Sequence, residues 1–441
     1  MQTKLGKKTW LSIVIFSLVG QIAWTMENMF YNLYIVNQFN ASPSSIALMV
    51  SLSAVTATLT TLFMGALSDK IGKRKIFIIA GYFLWGITIL SFIFVNNQYI
   101  SSATLGVGLV VLLDCLMTFF GSSANDAAYN AYLTEISDDS NRGKIEGINS
   151  AMPLISILIV FGGLSGFAKI QDDGTDTWYI VFLIIGILVL VSGIIGLFTI
   201  KEVKHKTKKD EPYFKNIFYG FRPSVIKENK TLYIILVAFA IFGISLQVYM
   251  PYYILYLQDA GLHISFAASL GFDSYVIIMA PAIVIAAVFT IFYGKVIDKY
   301  GFIKSLLPTL VIYAIGLIIL TIFKGEVMMF LGCLFMMMGY LAATASFNAV
   351  IRKYTPVDKV GLFQGLRIFA SVLIPMLIGP WLGAVALSGN FTYDENVLTG
   401  GYSYPLNSNI FIASAVVIIL TLGISILAYH FIIKEENYES K

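Results

Sequence analysis

Two carboxyls stand where the sequence is otherwise almost purely apolar: Glu27, in Trp24-Thr-Met-Glu27-Asn28-Met-Phe30, and Asp114, in Val110-Val-Leu-Leu-Asp114-Cys-Leu-Met117. A carboxyl in such a setting has two uses: it can carry a proton, and it can accept hydrogen bonds from a hydroxylated molecule. Each belongs to a polar stripe at helical spacing. Gln21, Trp24, Asn28 and Tyr31 recur at steps of three or four around Glu27, and Thr118, Ser122, Asn125 and Tyr129 follow Asp114 in the same way. A third stripe, Ser245, Tyr249, Tyr252, Tyr253 and Tyr256, runs beside Pro251, a potential hinge. Three such faces predict a water-filled cavity suited to a neutral polyhydroxylated solute, because amides and carboxylates bind hydroxyls while aromatic rings stack on sugar faces.

The elements that must position these residues are membrane helices. The chain has 441 residues, 58% of them hydrophobic and 12% charged, against about 25% charged in soluble domains. Apolar runs cover residues 10–36, 45–67, 76–95, 104–133, 143–168, 178–200, 231–257, 273–293, 304–323, 327–351, 361–387 and 409–433, each long enough to cross a bilayer core, which takes about 20 residues. Little chain is left for a soluble domain. Glu27 and Asp114 each lie ten residues from a span end, about 15 Å deep. Of the 25 acidic residues they alone fall in mid-span, with Asp126 and Asp273 counted near span ends.

Charge fixes the expected orientation. With both termini in the cytoplasm, 27 of the 29 Lys and Arg lie on that side, and only Lys169 and Lys324 on the other. The basic loops therefore call for no nucleic-acid partner, only a lipid bilayer. The first span is too long for a cleaved signal peptide and lacks a small-residue cleavage site. Residues 201–230 form a basic cytoplasmic linker between a six-helix bundle at 1–200 and a second at 231–441. Within it Tyr213, Phe214, Ile217, Phe218 and Phe221 recur at helical spacing beside Lys215 and Arg222, predicting a short interfacial helix. Cys115 and Cys333 both sit in apolar runs and read as packing residues.

The halves repeat. Gly65-Ala-Leu-Ser-Asp69-Lys-Ile-Gly72 and Gly294-Lys-Val-Ile-Asp298-Lys-Tyr-Gly301 share G-x3-D-x2-G at an offset of 229. At an offset of 218, Gly121, Asn130, Ala131, Gly143 and Gly147 meet Gly339, Asn348, Ala349, Gly361 and Gly365, and at 222 Phe30–Tyr34 meets Tyr252–Tyr256. Duplicated six-helix units are characteristic of secondary transporters. The stretch from Gly65 through Lys75 resembles the signature loop of the major facilitator superfamily, G-x-L-x-D-R-x-G-R-R/K, with lysine at 70 and 73 where the family has arginine and with Arg74 at a basic position. Lysine keeps the charge and loses the bidentate fork. A weaker resemblance, on Trp24 and 65–81, is to the sucrose-type and glycoside:cation symporter branches.

The superfamily resemblance implies an all-α fold of twelve transmembrane helices in two pseudo-symmetric bundles, with spans one, four, seven and ten lining the cavity. It implies a gate at Gly65, Asp69, Gly72 and Arg74, echoed by Asp298 and Gly301, with Asp69 held against the cytoplasmic start of span eleven. Thr355-Pro356-Val-Asp358 reads as that helix start, with Thr as its cap. Arg74 and Asp126 are expected to form a latch. Arg367 lies about 9 Å inside span eleven if that helix begins near Gly361, and either reaches the cavity or snorkels to the interface.

No G-x4-G-K-[ST] loop is present, so an ion gradient is the expected energy source, with Glu27 or Asp114 carrying a proton, or sodium as the alternative ion. No other cofactor is expected. His205, His263 and His430 fall at or beyond span ends and form no metal or triad spacing, so an enzyme is not expected. The resulting expectation is proton-coupled uptake of a sugar or glycoside by alternating access, by a monomer in a bacterial cell membrane. The alternative is a drug or metabolite efflux antiporter; the exporter element G-P-x-x-G occurs at Gly379–Gly383 rather than in span five, which weakens that reading.

Overall fold

The computed structural model describes residues 5–138, 141–170, 174–202, 219–259, 264, 273–356, 360–390, 392–393, 402–404 and 406–439. Twelve helices are long and apolar enough to cross a membrane: α1 Lys7–Phe39, α2 Pro43–Ile71, α3 Arg74–Phe94, α4 Ala103–Ile136, α5 Gly143–Phe167, α6 Trp178–Thr199, α7 Lys230–Asp259, α8 Ser274–Tyr300, α9 Lys304–Ile322, α10 Glu326–Tyr354, α11 Gly365–Leu387 and α12 Asn409–Ile433. A two-residue ladder, Thr392–Tyr393 with Tyr402–Ser403, lies between α11 and α12.

Local chemistry sets the ends. Ser42 caps α2, its Oγ accepting from the Ser45 amide at 3.2 Å, and Pro43 occupies the first helical position; such a cap contributes about 1 kcal/mol. Ser102 caps α4 in the same way, accepting from Leu105 N at 3.3 Å. Gly72 closes α2 with φ 69° and Gly301 follows α8 with φ 76°, so the last glycine of both G-x3-D-x2-G copies stands where a side chain would be strained.

Helices outrun the apolar runs where charged turns contain no breaker. α8 continues through Lys295 and Asp298 to Tyr300, seven residues past the hydropathy limit, because backbone hydrogen bonding persists until Gly301. Thr355 departs from its expected role: it ends α10, with Oγ1 donating to Ile351 O at 2.6 Å, while the next helix is described from Val360. A Thr hydroxyl serves a helix end as readily as a start. Asp358 lies outside the described residues, as do Tyr213, Phe214, Lys215, Ile217 and Phe218 of the expected interfacial helix. Phe221 packs at 4.9 Å on Phe369 of α11, just before the short helix Pro223–Glu228.

Helices α1–α6 and α7–α12 form two compact units. In the first, α1 packs on α5 and α6, α2 on α4, and α3 on α4 and α6; in the second, α7 packs on α11 and α12, α8 on α10, and α9 on α10 and α12. The pairings correspond helix for helix at a shift of six. Outward faces carry Leu, Ile, Val and Phe, including Phe198 and Ile291 at 73% exposure, the surface expected where lipid is the solvent.

Candidate functional site

Glu27 sits in a π-helical turn, Met26–Phe30, that interrupts α1; such turns widen the helix locally and recur at functional positions. The side chain is 8% exposed. Its Oε1 accepts from Ser53 Oγ of α2 at 2.6 Å and from Thr118 Oγ1 of α4 at 2.8 Å, and the two hydroxyl oxygens are themselves 2.8 Å apart. Asp114, one turn before Thr118 and 2% exposed, joins the cluster through Ser53. Glu27 Oε2 and Asp114 Oδ1 are buried without a hydrogen-bond partner. Among the described residues no salt bridge reaches either carboxyl.

A second π-helical segment, Ser122–Tyr129, carries Asn125 and Asp126. Asp126 lies ten residues inside the end of α4 and accepts from Ser122 Oγ at 2.9 Å and from the Trp24 side chain. Trp24 is half-buried, with its ring 5.0 Å from that of Trp85. Asn28 is exposed, its amide donating to Trp24 O at 2.8 Å, and Gln21 is half-buried one turn away. Asn125 is buried so close to α1 that a Cβ on Gly20 would fall 2.2 Å from its Nδ2. Gln21, Trp24, Asn28 and Asp126 thus form a partly open polar and aromatic edge, with the Glu27 cluster buried behind it.

Tyr31 belongs to neither. It is fully buried between Phe92 and Phe182, its hydroxyl donating to Met117 Sδ at 2.9 Å. The tyrosines of α7 behave alike. Tyr249, Tyr252 and Tyr253 are each 0% exposed; Tyr252 donates to Pro380 O of α11 at 2.8 Å and Tyr253 to Cys333 Sγ of α10 at 2.8 Å, while Tyr249 packs against Phe411 and Tyr313. This stripe fastens α7 inside the second unit rather than lining a cavity: a phenol gains more from a dry ring contact and one acceptor than from water. Arg367 lies seven residues into the helix that begins at Val360, close to the expected depth, with Nη2 donating to Asn348 Oδ1 of α10 at 2.9 Å.

The loop between α2 and α3 is tied by Arg74, 4% exposed. Its guanidinium pairs with Asp69, donates to Ser68 Oγ, and reaches Glu135 Oε1 of α4 at 3.0 Å. The expected latch with Asp126 is therefore corrected: the α4 partner is Glu135, at the helix end beside the loop, and Asp126 is engaged by Trp24 and Ser122. Asp69 and Arg74 are brought together; Gly65 lies close to Ala127 of α4, and Gly72 makes the turn. The second copy is bare: Asp298 is exposed with no ion pair among the described residues.

The sequence matches the family model of the Major Facilitator Superfamily over residues 13–380. The chain belongs to that superfamily. It is accordingly a multi-pass membrane transporter and not an enzyme. No curated protein matches the sequence. Among solved structures, a bacterial homolog of the human lysosomal transporter Spinster superposes with TM-score 0.71 at 16% identity, covering 98% of this chain and 99% of that one. The nucleoside transporter NupG gives 0.68 at 15%, covering 96% and 99%, and a D-xylose-proton symporter 0.67 at 14%, covering 94% and 97%. Identities this low establish the shared fold.

Three residues of this superfamily member escaped sequence reasoning: Ser53, Ser68 and Glu135. Ser53 is one of several Ser and Thr on α2, with no spacing that marks it out. Glu135 carried a weak signal, since a carboxylate at the C-terminal end of a helix opposes the dipole and requires a cation.

Proposed function

We propose that this protein takes up a neutral polyhydroxylated solute, a sugar or glycoside, together with protons, by alternating access, as a monomer in the cytoplasmic membrane of a bacterium. The observation that carries the reading is the Glu27–Asp114 pair: two buried carboxyls, deep in membrane helices, hydrogen-bonded to hydroxyls and joined to no cation among the described residues. A proton answers the cost of burying such groups and leaves when the site opens to water. The partly open edge of Gln21, Trp24, Asn28 and Asp126 offers amides, a carboxylate and an indole to hydroxyls and a sugar face. Similar folds named as a D-xylose-proton symporter and a nucleoside transporter accord with that substrate class.

The test is accumulation of labelled sugars, glycosides and nucleosides in proteoliposomes under an imposed pH gradient. Concentrative uptake that a protonophore collapses is expected, with Glu27→Gln losing accumulation and keeping solute exchange. Accumulation of lipophilic cations against their gradient, with sugars ignored, would replace uptake by efflux.

A further inference from the structure

Hydrogen counting at the Glu27 cluster bears on which ion the site accepts. Glu27 Oε1, Ser53 Oγ and Thr118 Oγ1 form a triangle with edges of 2.6, 2.8 and 2.8 Å. Each edge is of hydrogen-bond length and needs one hydrogen. The two hydroxyls supply one hydrogen each, so two edges are filled and the third is not. A hydrogen on Glu27 Oε1 completes the ring, each oxygen then giving one hydrogen and taking one. Without it, two lone pairs would face each other across a buried contact.

The same edges argue against a bound metal cation. Oxygens held about 2.3–2.6 Å from a hard cation at right angles stand about 3.2–3.7 Å apart. The triangle is tighter on every side.

We propose that Glu27 holds the coupled proton on Oε1 and that Ser53 relays it to Asp114. The Ser53 hydroxyl bonds Glu27 Oε1 at 2.6 Å and lies within electrostatic reach of Asp114, whose Oδ1 is buried without a partner. In the transfer the Ser53 hydroxyl turns out of the ring towards Asp114; the Glu27 O–H bond then breaks as a new O–H bond forms on Ser53, and the original Ser53 O–H bond breaks as its proton passes to Asp114. One proton moves, Glu27 becomes a carboxylate, Asp114 becomes an acid, and Ser53 ends as it began. Thr118 holds Glu27 in register throughout. The other titratable groups near the pair are Asp126, Tyr31 and Cys115; none bridges the two carboxyls through a bond that is described.

The inference rests on the proposed proton coupling, so its test includes a measurement that needs no substrate. Infrared difference spectroscopy of the purified protein at neutral pH should show a protonated carboxyl stretch that Glu27→Gln removes and Ser53→Ala shifts towards the free-acid frequency. A band unchanged in both variants overturns the assignment. In proteoliposomes, Ser53→Ala should slow solute-driven proton entry about tenfold or more with solute exchange near the wild-type rate, Ser53→Thr should restore it, and sodium should have no effect. Normal proton entry in Ser53→Ala alongside a lost one in Glu27→Gln would remove the relay and leave the transport reading standing. Sodium-driven accumulation would remove both the proton and the relay.

Discussion

The two six-helix units share a scaffold and differ in what fills it. Tyr31 and Tyr253, 222 residues apart, both bond a sulfur on the fourth helix of their unit, Met117 Sδ at 2.9 Å and Cys333 Sγ at 2.8 Å. Tyr34 and Tyr256, at the same spacing, both donate to a carbonyl near the end of the third helix, Phe92 O and Leu320 O, each at 3.2 Å. Positions of the proposed proton site diverge. At the offsets of the repeat, Glu27 corresponds to Tyr249, Ser53 to Ala282, Asp114 to Gly332 and Thr118 to Met336. Tyr249, Ala282 and Met336 are fully buried, and a Cβ at Gly332 would fall 2.7 Å from Leu320 Cγ, so no carboxyl fits there. The duplicated contacts hold helices together; among the described residues the carboxyl cluster occurs in one copy only, and the proposed function rests on that copy rather than on the fold.

The signature loops differ in the same sense, and they give the largest expected effect. Arg74→Gln removes the cation that Asp69 and Glu135 share, and because both carboxylates keep some access to water it should destabilise the protein by about 2–3 kcal/mol, whereas Asp298→Asn in the second copy should stay within about 0.5 kcal/mol. Thermal unfolding of both variants in detergent measures the contrast. Equal losses would mean that the second loop carries an ion pair of comparable weight.

Placing a carboxyl in the wrong unit comes next. Tyr249→Glu should cost about 1–3 kcal/mol, because no Ser or Thr stands at the positions matching 53 and 118 to satisfy it. A stability equal to wild type would show that the second core accommodates a carboxyl as the first does, and the contrast would fail.

The two positive-φ glycines sharpen the comparison further. Gly301, at φ 76° and ψ −179°, occupies a region almost reserved for glycine, while Gly72, at φ 69° and ψ 21°, is left-handed helical. Gly301→Ala should therefore cost about 1–3 kcal/mol and Gly72→Ala about 1 kcal/mol, read from the same unfolding curves. A larger loss at Gly72 would place the tighter turn in the first loop.

The smallest expected effect tests what the units share. Tyr31→Phe and Tyr253→Phe each remove a hydroxyl from a weak sulfur acceptor and should each cost about 0.5–1 kcal/mol, equally within error. A marked inequality would mean that one of these hydroxyls does more than fasten helices.

The sequence by itself determined the number of spans, the repeat, the family and the helix faces that carry polar groups, because hydropathy, spacing and charge are local or additive along the chain. It placed Glu27 and Asp114 at one depth, and the structure gathers both around the Ser53 and Thr118 hydroxyls. What periodicity could not decide is which neighbour a face meets. The tyrosines of α7 share a stripe as clear as that of α1, yet acceptors on α10 and α11 draw them into the core. Asp126 and Glu135, nine residues apart, lie on roughly opposite sides of a regular helix at about 100° per residue. The π-helical segment Ser122–Tyr129 alters that phase, so only the packed structure gives Glu135 to Arg74 and Asp126 to Trp24. Ser53 became legible the same way: a hydroxyl among several on α2 acquires a role from the two carboxyls that other helices bring to it, through contacts between residues 26 and 61 positions apart in the chain.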